Sequence, residues 1–227
     1  MKILDSILDF LFPQKCLYCG QVGSVVCQNC VSQLPFPKTQ ICPICYNPSL
    51  IGKTHDFCQK RYNLDGLTFC FYYDDKIKEA IKKIKYRNLF SYVDELVARG
   101  ISKLDLEQFK DFMIIPVPLH EKRLKSRGFN QAEIIGKVLS GKLNIQLRTD
   151  ILKRVKDTSS QVKLNKKARE ENIKDAFTVN SKVKFKNMKA LLVDDIFTSG
   201  ATLNECAKIL KKAGVQKVRG FTLAHGK

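Results

Sequence analysis

The sequence predicts an α/β fold, a mainly parallel sheet flanked by helices, with a small Cys-rich module at the amino end. Three observations lead there. Apolar runs at 66–73, 112–118, 190–193 and 218–223 have the continuous hydrophobicity of strands buried on both faces. Between them, Ile77, Ala80, Ile81, Ile84 and later Ile134, Ile135, Val138, Leu139 recur at helical spacing. Six of the nine cysteines form C-x-x-C pairs near the amino end.

The 227 residues allow one medium domain, placed at 62–227, and a smaller module at 1–61. No apolar run approaches the ~20 residues that span a bilayer. In residues 1–12, Ile3, Leu4, Ile7, Leu8, Leu11 and Phe12 share one helical face, with Asp5 and Asp9 opposite. A basic start and a small-residue cleavage site are missing, so the stretch reads as an amphipathic helix and not as a signal peptide. It suits docking on the body of the protein first, and a membrane surface or a partner only second. The expected location is the cytoplasm, with peripheral contact at the inner face of the membrane left open.

Forty basic residues face twenty-two acidic ones, a formal charge of +18. That excess attracts polyanions: nucleic acid, anionic lipid or phosphorylated substrates. A Lys-rich surface without a specific partner has the same composition, but an excess this large favours contact with nucleic acid.

Cys16-x-x-Cys19 and Cys27-x-x-Cys30 bring four thiolates within reach of one ion. Without an export signal the spacing reads as metal rather than disulfide. Zn²⁺ suits a closed all-sulfur tetrahedron, and it would supply folding energy to a segment too small for its own core. Cys42-x-x-Cys45 with His55 and Cys58 permits a second, Cys₃His site. His55 also fits an ordinary loop residue, so the second zinc stays open. Cys70 and Cys206 fall in apolar patterns and read as core.

Residues 62–65 read as a linker into the first strand. Asp74 and Asp75 are placed to cap the next helix, whose polar face carries Lys76, Lys78, Lys82, Lys83, Lys85 and Arg87. Such a face is either simply solvated or a track for a nucleic-acid backbone, at Lys82, Lys83, Lys85 and Arg87, with Tyr86 and Phe90 as stacking platforms. After the strand at 112–118 come Arg123 and Arg127. Asn130 and Glu133 then form a capping-box pattern opening the next helix.

The most informative stretch is 190–202. A buried strand, 190–193, carries Asp194 and Asp195 at its carboxyl end, and Thr198-Ser199-Gly200-Ala201-Thr202 turns into a helix carrying Leu203, Cys206, Ala207 and Leu210. A helix amino terminus offers unpaired amides and a positive dipole to a phosphate, and small residues let the backbone approach it. Adjacent carboxylates would repel that anion but suit sugar hydroxyls. Together they describe a site for a ribose 5-phosphate.

These positions resemble the phosphoribosyl-pyrophosphate (PRPP) motif of type I phosphoribosyltransferases. The run Pro116-Val117-Pro118-Leu119-His120, then Arg123-Leu124 and Arg127-Gly128-Phe129-Asn130-Gln131, is similar to the ComF family, whose members also begin with a cysteine module. So are Lys153-Arg154, Asp157-Thr158-Ser159-Ser160-Gln161, Lys166, Arg169, Asn172 and Ala176-Phe177. The similarity runs from Cys16 to Ala224. It departs at Cys58-Gln59-Lys60-Arg61, where many members have a second C-x-x-C, and this weakens the case for the second zinc.

The resemblance implies a type I phosphoribosyltransferase-like domain behind a zinc module. PRPP would place its 5-phosphate in the Thr198–Thr202 loop, with Asp194 and Asp195 on the ribose hydroxyls and Mg²⁺ bridging sugar and pyrophosphate. Arg123 and Arg127 would meet the pyrophosphate, and the polar segment around 157–172 would close over it as a mobile loop. It further implies a competence protein handling incoming single-stranded DNA during natural transformation, with an uptake helicase and recombination mediators as candidate partners. A salvage or biosynthetic enzyme transferring ribose 5-phosphate to a base or amine is the alternative, although no base-binding hood is recognisable. A PRPP-sensing adaptor without turnover is a third reading.

Overall fold

In a computed structural model of the chain, residues 14–87, 90–158 and 166–226 are described. The amphipathic stretch at 1–12 and the Ser159-Ser160-Gln161 motif lie outside them. So do the side chains of Lys85, Tyr86, Arg87 and Phe90.

Beyond the Cys-rich module come β1 (Gly66–Tyr72), α1 (Asp75–Arg87), α2 (Phe90–Ile101), β2 (Met113–Pro116), α3 (Glu121–Arg127) and α4 (Gln131–Leu143). They are followed by β3 (Leu152–Arg154), α5 (Lys166–Ile173), β4 (Phe177–Val179), β5 (Lys189–Phe197), α6 (Ala201–Lys212) and β6 (Lys217–His225). The central sheet has the order β1-β6-β5-β2, and every pairing in it is parallel. β3 and β4 form a separate antiparallel ribbon.

The sheet is buried on both faces, as its uninterrupted apolar strands require. Along β5, Leu191 and Val193 join a core beneath α1, α2 and α4, while Ala190 and Leu192 join a second core beneath α6 and the ribbon. Cys70 and Cys206 are fully buried, as their apolar surroundings predict. Asp74 caps α1 by accepting from the Ile77 amide at 2.8 Å. Asn130 caps α4 through the Ala132 amide at 3.1 Å and donates to the Val117 carbonyl at 3.0 Å, tying the helix to the end of β2. The capping box is only half built, because Glu133 pairs with Lys137 at 3.0 Å one turn on.

The cysteine module straddles the β1 edge of the sheet. Cys16, Leu17, Val26 and Leu34 pack into the first core, whereas Ile41 packs into the second. The Gln40 side chain acts as a short extra strand: its amide donates to the Phe69 carbonyl at 3.1 Å and its oxygen accepts from the Phe69 amide at 2.9 Å. An exposed edge strand is thereby capped without a further ladder. Residues 62–65, predicted as a linker, are anchored. Leu64 is fully buried, and Asp65 accepts from the Val218 amide at 2.7 Å and from Lys211 at 2.8 Å.

Replacing Gln40 with Ala leaves the buried Phe69 amide and carbonyl without those partners. The expected loss is about 1–3 kcal/mol of unfolding free energy, read from denaturant titration of the full chain, with an unchanged circular dichroism spectrum.

Candidate functional site

β5 runs past Val193, further than the apolar run alone predicts. Asp194 pairs in register with Thr222, Ile196 with Ala224 and Phe197 with His225. Backbone pairing with β6 carries the two acids and delivers the chain to the loop at a defined angle. The loop turns at Gly200, which caps α6 with φ 75°. A Cβ there would sit 2.7 Å from the Phe197 ring, so glycine is required twice over.

Around the loop lies a cleft of about 490 Å³. It is lined by Asp194, Asp195 and the whole of Thr198–Thr202, and by Arg123 and Arg127 from α3. Two further cations enter it: Arg154 from β3 and Arg169 from α5, which the family resemblance singles out without assigning either a contact. Four arginines against two carboxylates leave the described lining net positive. Residues around Arg169, expected in a mobile polar loop, are helical here; only 159–165 of that stretch lie outside the described residues.

The donors of the cleft are incompletely used. Among the described residues no group accepts from the Thr198, Ser199, Gly200 or Ala201 amide. Arg154 is only 6% exposed, lies 5.4 Å from the Phe177 ring centroid and donates to the Thr158 hydroxyl, while its Nε has no partner among the described residues. Arg123 holds the same residue from the other side, donating to the Thr158 carbonyl at 2.7 Å. Gln131 is 4% exposed; its oxygen accepts from Arg127 at 2.8 Å, and its amide nitrogen is unpartnered among the described residues. Burial lowers the pKa of Arg154, and nearby Arg123 lowers it further against the pull of Asp194. An anion in the cleft would relieve both effects.

In the module, the Sγ atoms of Cys16, Cys19, Cys27 and Cys30 lie within 4.8 Å of one another, and so do the ligating atoms of Cys42, Cys45, His55 and Cys58. A zinc tetrahedron with Zn–S of about 2.3 Å has sulfur–sulfur edges of roughly 3.8 Å, so both donor sets fit the ion with little movement. His55 is suitably oriented: its Nδ1 is 3.3 Å from the Cys45 sulfur and its Nε2 is 3.2 Å from the Pro48 carbonyl, the outer-shell contact that holds a ligating imidazole. Thiol chemistry agrees. Burial would raise Cys16, but the backbone amides of Cys19, Cys27 and Tyr18 outweigh it and bring the pKa down to about 6. Burial and the neighbouring sulfurs push Cys30 up to about 12. The set thus favours the Cys16 thiolate at the expense of Cys30, and a bound dication would favour all four thiolates.

The lysine face of α1 is partly spent inside the molecule. Lys83 pairs with Glu79 at 2.7 Å and donates to the Leu17 carbonyl at 3.0 Å; Lys76 donates to Gln33 at 2.6 Å. These contacts dock the first knuckle. Lys82 remains exposed.

Residues 7–61 match the double zinc ribbon domain family, and residues 124–227 match the phosphoribosyl transferase domain family. Competence protein F of Haemophilus influenzae is 32% identical over 91% of this chain and 84% of its own length. Competence protein ComFC of Bacillus subtilis is 26% identical over 98% of this chain and 95% of its own. DNA utilization protein YhgH of Shigella flexneri is 34% identical over 48% of each chain.

Substituting Gly200 with Ala is expected to displace Phe197 and distort the loop, at a cost of about 1–3 kcal/mol. Gly141, on an open face of α4, has nothing within 4 Å of an added Cβ. There the same change should stabilise by about 0.4–1 kcal/mol. Thermal melts of the two variants check both signs.

Proposed function

The chain belongs to the ComF family of competence proteins, and on that premise we propose that it handles incoming single-stranded DNA during natural transformation and binds PRPP in the cleft beside β5. The observation that carries the ligand is the set of unspent donors there: the loop amides, the Arg154 Nε and the Gln131 amide, facing two carboxylates. Apolar ligands use no such donors, and a simple anion has no use for the acids. A phosphorylated sugar uses both.

In this reading the 5-phosphate takes the amides and hydroxyls of Thr198–Thr202, and Asp194 and Asp195 hold the ribose hydroxyls. Arg123, Arg127, Arg154 and Arg169 meet the pyrophosphate. Mg²⁺, when bound, supplies charge neutralisation between the pyrophosphate and the sugar. Arg123 and Arg154 hold Thr158 between them, its carbonyl accepting from the first and its hydroxyl from the second. One zinc sits on Cys16, Cys19, Cys27 and Cys30, and a second on Cys42, Cys45, His55 and Cys58. Peripheral contact with the inner face of the membrane, through residues 1–12, is part of the same proposal. The competence and DNA-utilization relatives and the +18 charge support DNA as the polyanion, tracked through its backbone by residues such as Lys82, Lys85 and Arg87.

Replacing Asp194 and Asp195 together with Ala should abolish calorimetric binding of Mg²⁺-PRPP while the melting profile is retained; undiminished affinity refutes the ligand assignment. Elemental analysis should find two zinc ions per chain, falling to one in His55→Ala. Single-stranded DNA binding, measured by anisotropy, should weaken linearly in a log–log salt series irrespective of base sequence. No binding at low salt, coupled with pyrophosphate release when bases or amines are supplied, would replace this reading with a salvage transferase.

A further inference from the structure

The two metal knuckles are built alike, and the difference between them is informative. In the first, the residue after the second cysteine is Gly20, with φ 76° and its amide donating to the Cys16 carbonyl at 3.0 Å. In the second, the same position is Tyr46, with φ 63° and its amide donating to the Cys42 carbonyl at 3.0 Å. A left-handed backbone suits glycine and strains a tyrosine. Strain of this kind, held in place by its surroundings, calls for a reason in what the side chain does.

The side chain reaches the phosphate loop. Its hydroxyl donates to the Ser199 carbonyl at 3.3 Å, across 153 residues of sequence. Its ring stacks on His225, with centroids 6.0 Å apart and planes 12° from parallel, and it leans on Phe197 at 6.2 Å. His225, 5% exposed, lies with its Nδ1 3.3 Å from the Phe197 carbonyl, which also accepts from the Gly226 amide at 2.8 Å. Tyr46, His225 and Gly226 are all absent from the cleft lining, so they hold the loop from behind.

Peptide planarity turns those contacts into aim. In a trans peptide the carbonyl and the following amide point opposite ways. Drawing the Phe197 and Ser199 carbonyls back therefore turns the Thr198 and Gly200 amides the other way, and neither has an acceptor among the described residues. We propose that Tyr46 is a positioning residue for the phosphate-binding loop, and that the second metal knuckle, by fixing the Tyr46 backbone, sets the loop's affinity for its phosphorylated ligand. This rests on the reading of Thr198–Thr202 as the phosphate site.

The test uses the full chain, with Mg²⁺-PRPP as the calorimetric probe and the Gly200 amide resonance as the local one. Tyr46→Phe removes only the hydroxyl. It should weaken the probe about 3- to 10-fold, shift the Gly200 amide, and leave the melting temperature and zinc content unchanged. Tyr46→Gly should relieve the backbone, keep its zinc and melt no lower, yet bind more weakly than Tyr46→Phe. His55→Ala, which takes the metal from this knuckle, should weaken binding at least as much as Tyr46→Gly. Leu50→Ala, on an exposed part of the same module, should change nothing.

Wild-type affinity in Tyr46→Phe and Tyr46→Gly overturns the role of Tyr46, provided the Asp194/Asp195 double variant has lost the probe. If that double variant still binds, the phosphate-site reading itself has failed. Full affinity in His55→Ala overturns the part played by the metal.

Discussion

Pairing of β5 with β6 beyond Val193 is the constraint on which the site depends. Two adjacent carboxylates at the carboxyl end of an isolated strand would have many orientations. Here the register continues through Asp194 opposite Thr222 to Phe197 opposite His225, so backbone hydrogen bonds hold the acids while the chain is still extended. The loop starts only where β6 also ends, and Gly226 then closes on the Phe197 carbonyl. Sheet pairing thus settles where the extended acids stop and the Thr198–Thr202 loop begins.

The cysteine module serves the same sheet. Below about 70 residues a segment seldom builds an adequate core. This one borrows two, sending its first knuckle under one face and its second toward the other, with Gln40 gripping the edge strand between them. Metal binding and docking would then reinforce each other: an ion held by the thiols would order knuckles that cap β1. The second knuckle also reaches the Thr198–Thr202 loop from behind the cleft, through the Tyr46 hydroxyl on the Ser199 carbonyl.

Much of this was legible in the sequence. Uninterrupted apolar runs placed the strands, C-x-x-C spacing grouped Cys16, Cys19, Cys27 and Cys30 while leaving the set with His55 and Cys58 open, and the 190–202 stretch placed the acids and the loop. What was hidden shares a cause: it depends on tertiary approach. Arg154 sits in a three-residue ribbon strand whose pattern is too short to announce an inward-pointing cation. Tyr46 carries no mark in the sequence except its place after Cys45, where the first knuckle has Gly20. Lys83 looked like part of a solvated or DNA-tracking face, yet it serves Glu79 and the Leu17 carbonyl. The extent of 62–65 as a linker misled for the same reason, since the Asp65 side chain meets α6 and β6 only once the sheet has formed.

Net charge is therefore a weaker argument than it first looks, and two buried arginines show where its force lies. Arg219, 2% exposed, is brought down to about 10 by burial, with Asp65 pulling the other way. Its terminal nitrogens donate to the Ile51 carbonyl, to Gln108 and to Thr68, across the seam between module and sheet. Arg154 is nearly as buried and likewise keeps an unpartnered Nε. Burial and an orphan nitrogen are common to both, so neither feature by itself marks a ligand site. What separates them is company. Arg219 is clasped by neutral groups that fasten two parts of the chain together, whereas Arg154 opens on a cleft with three other arginines, two carboxylates and a run of unspent amides. A positive charge held among neutral acceptors is a fastener; held beside other positive charges, it destabilises the empty cleft and is relieved only by an anion.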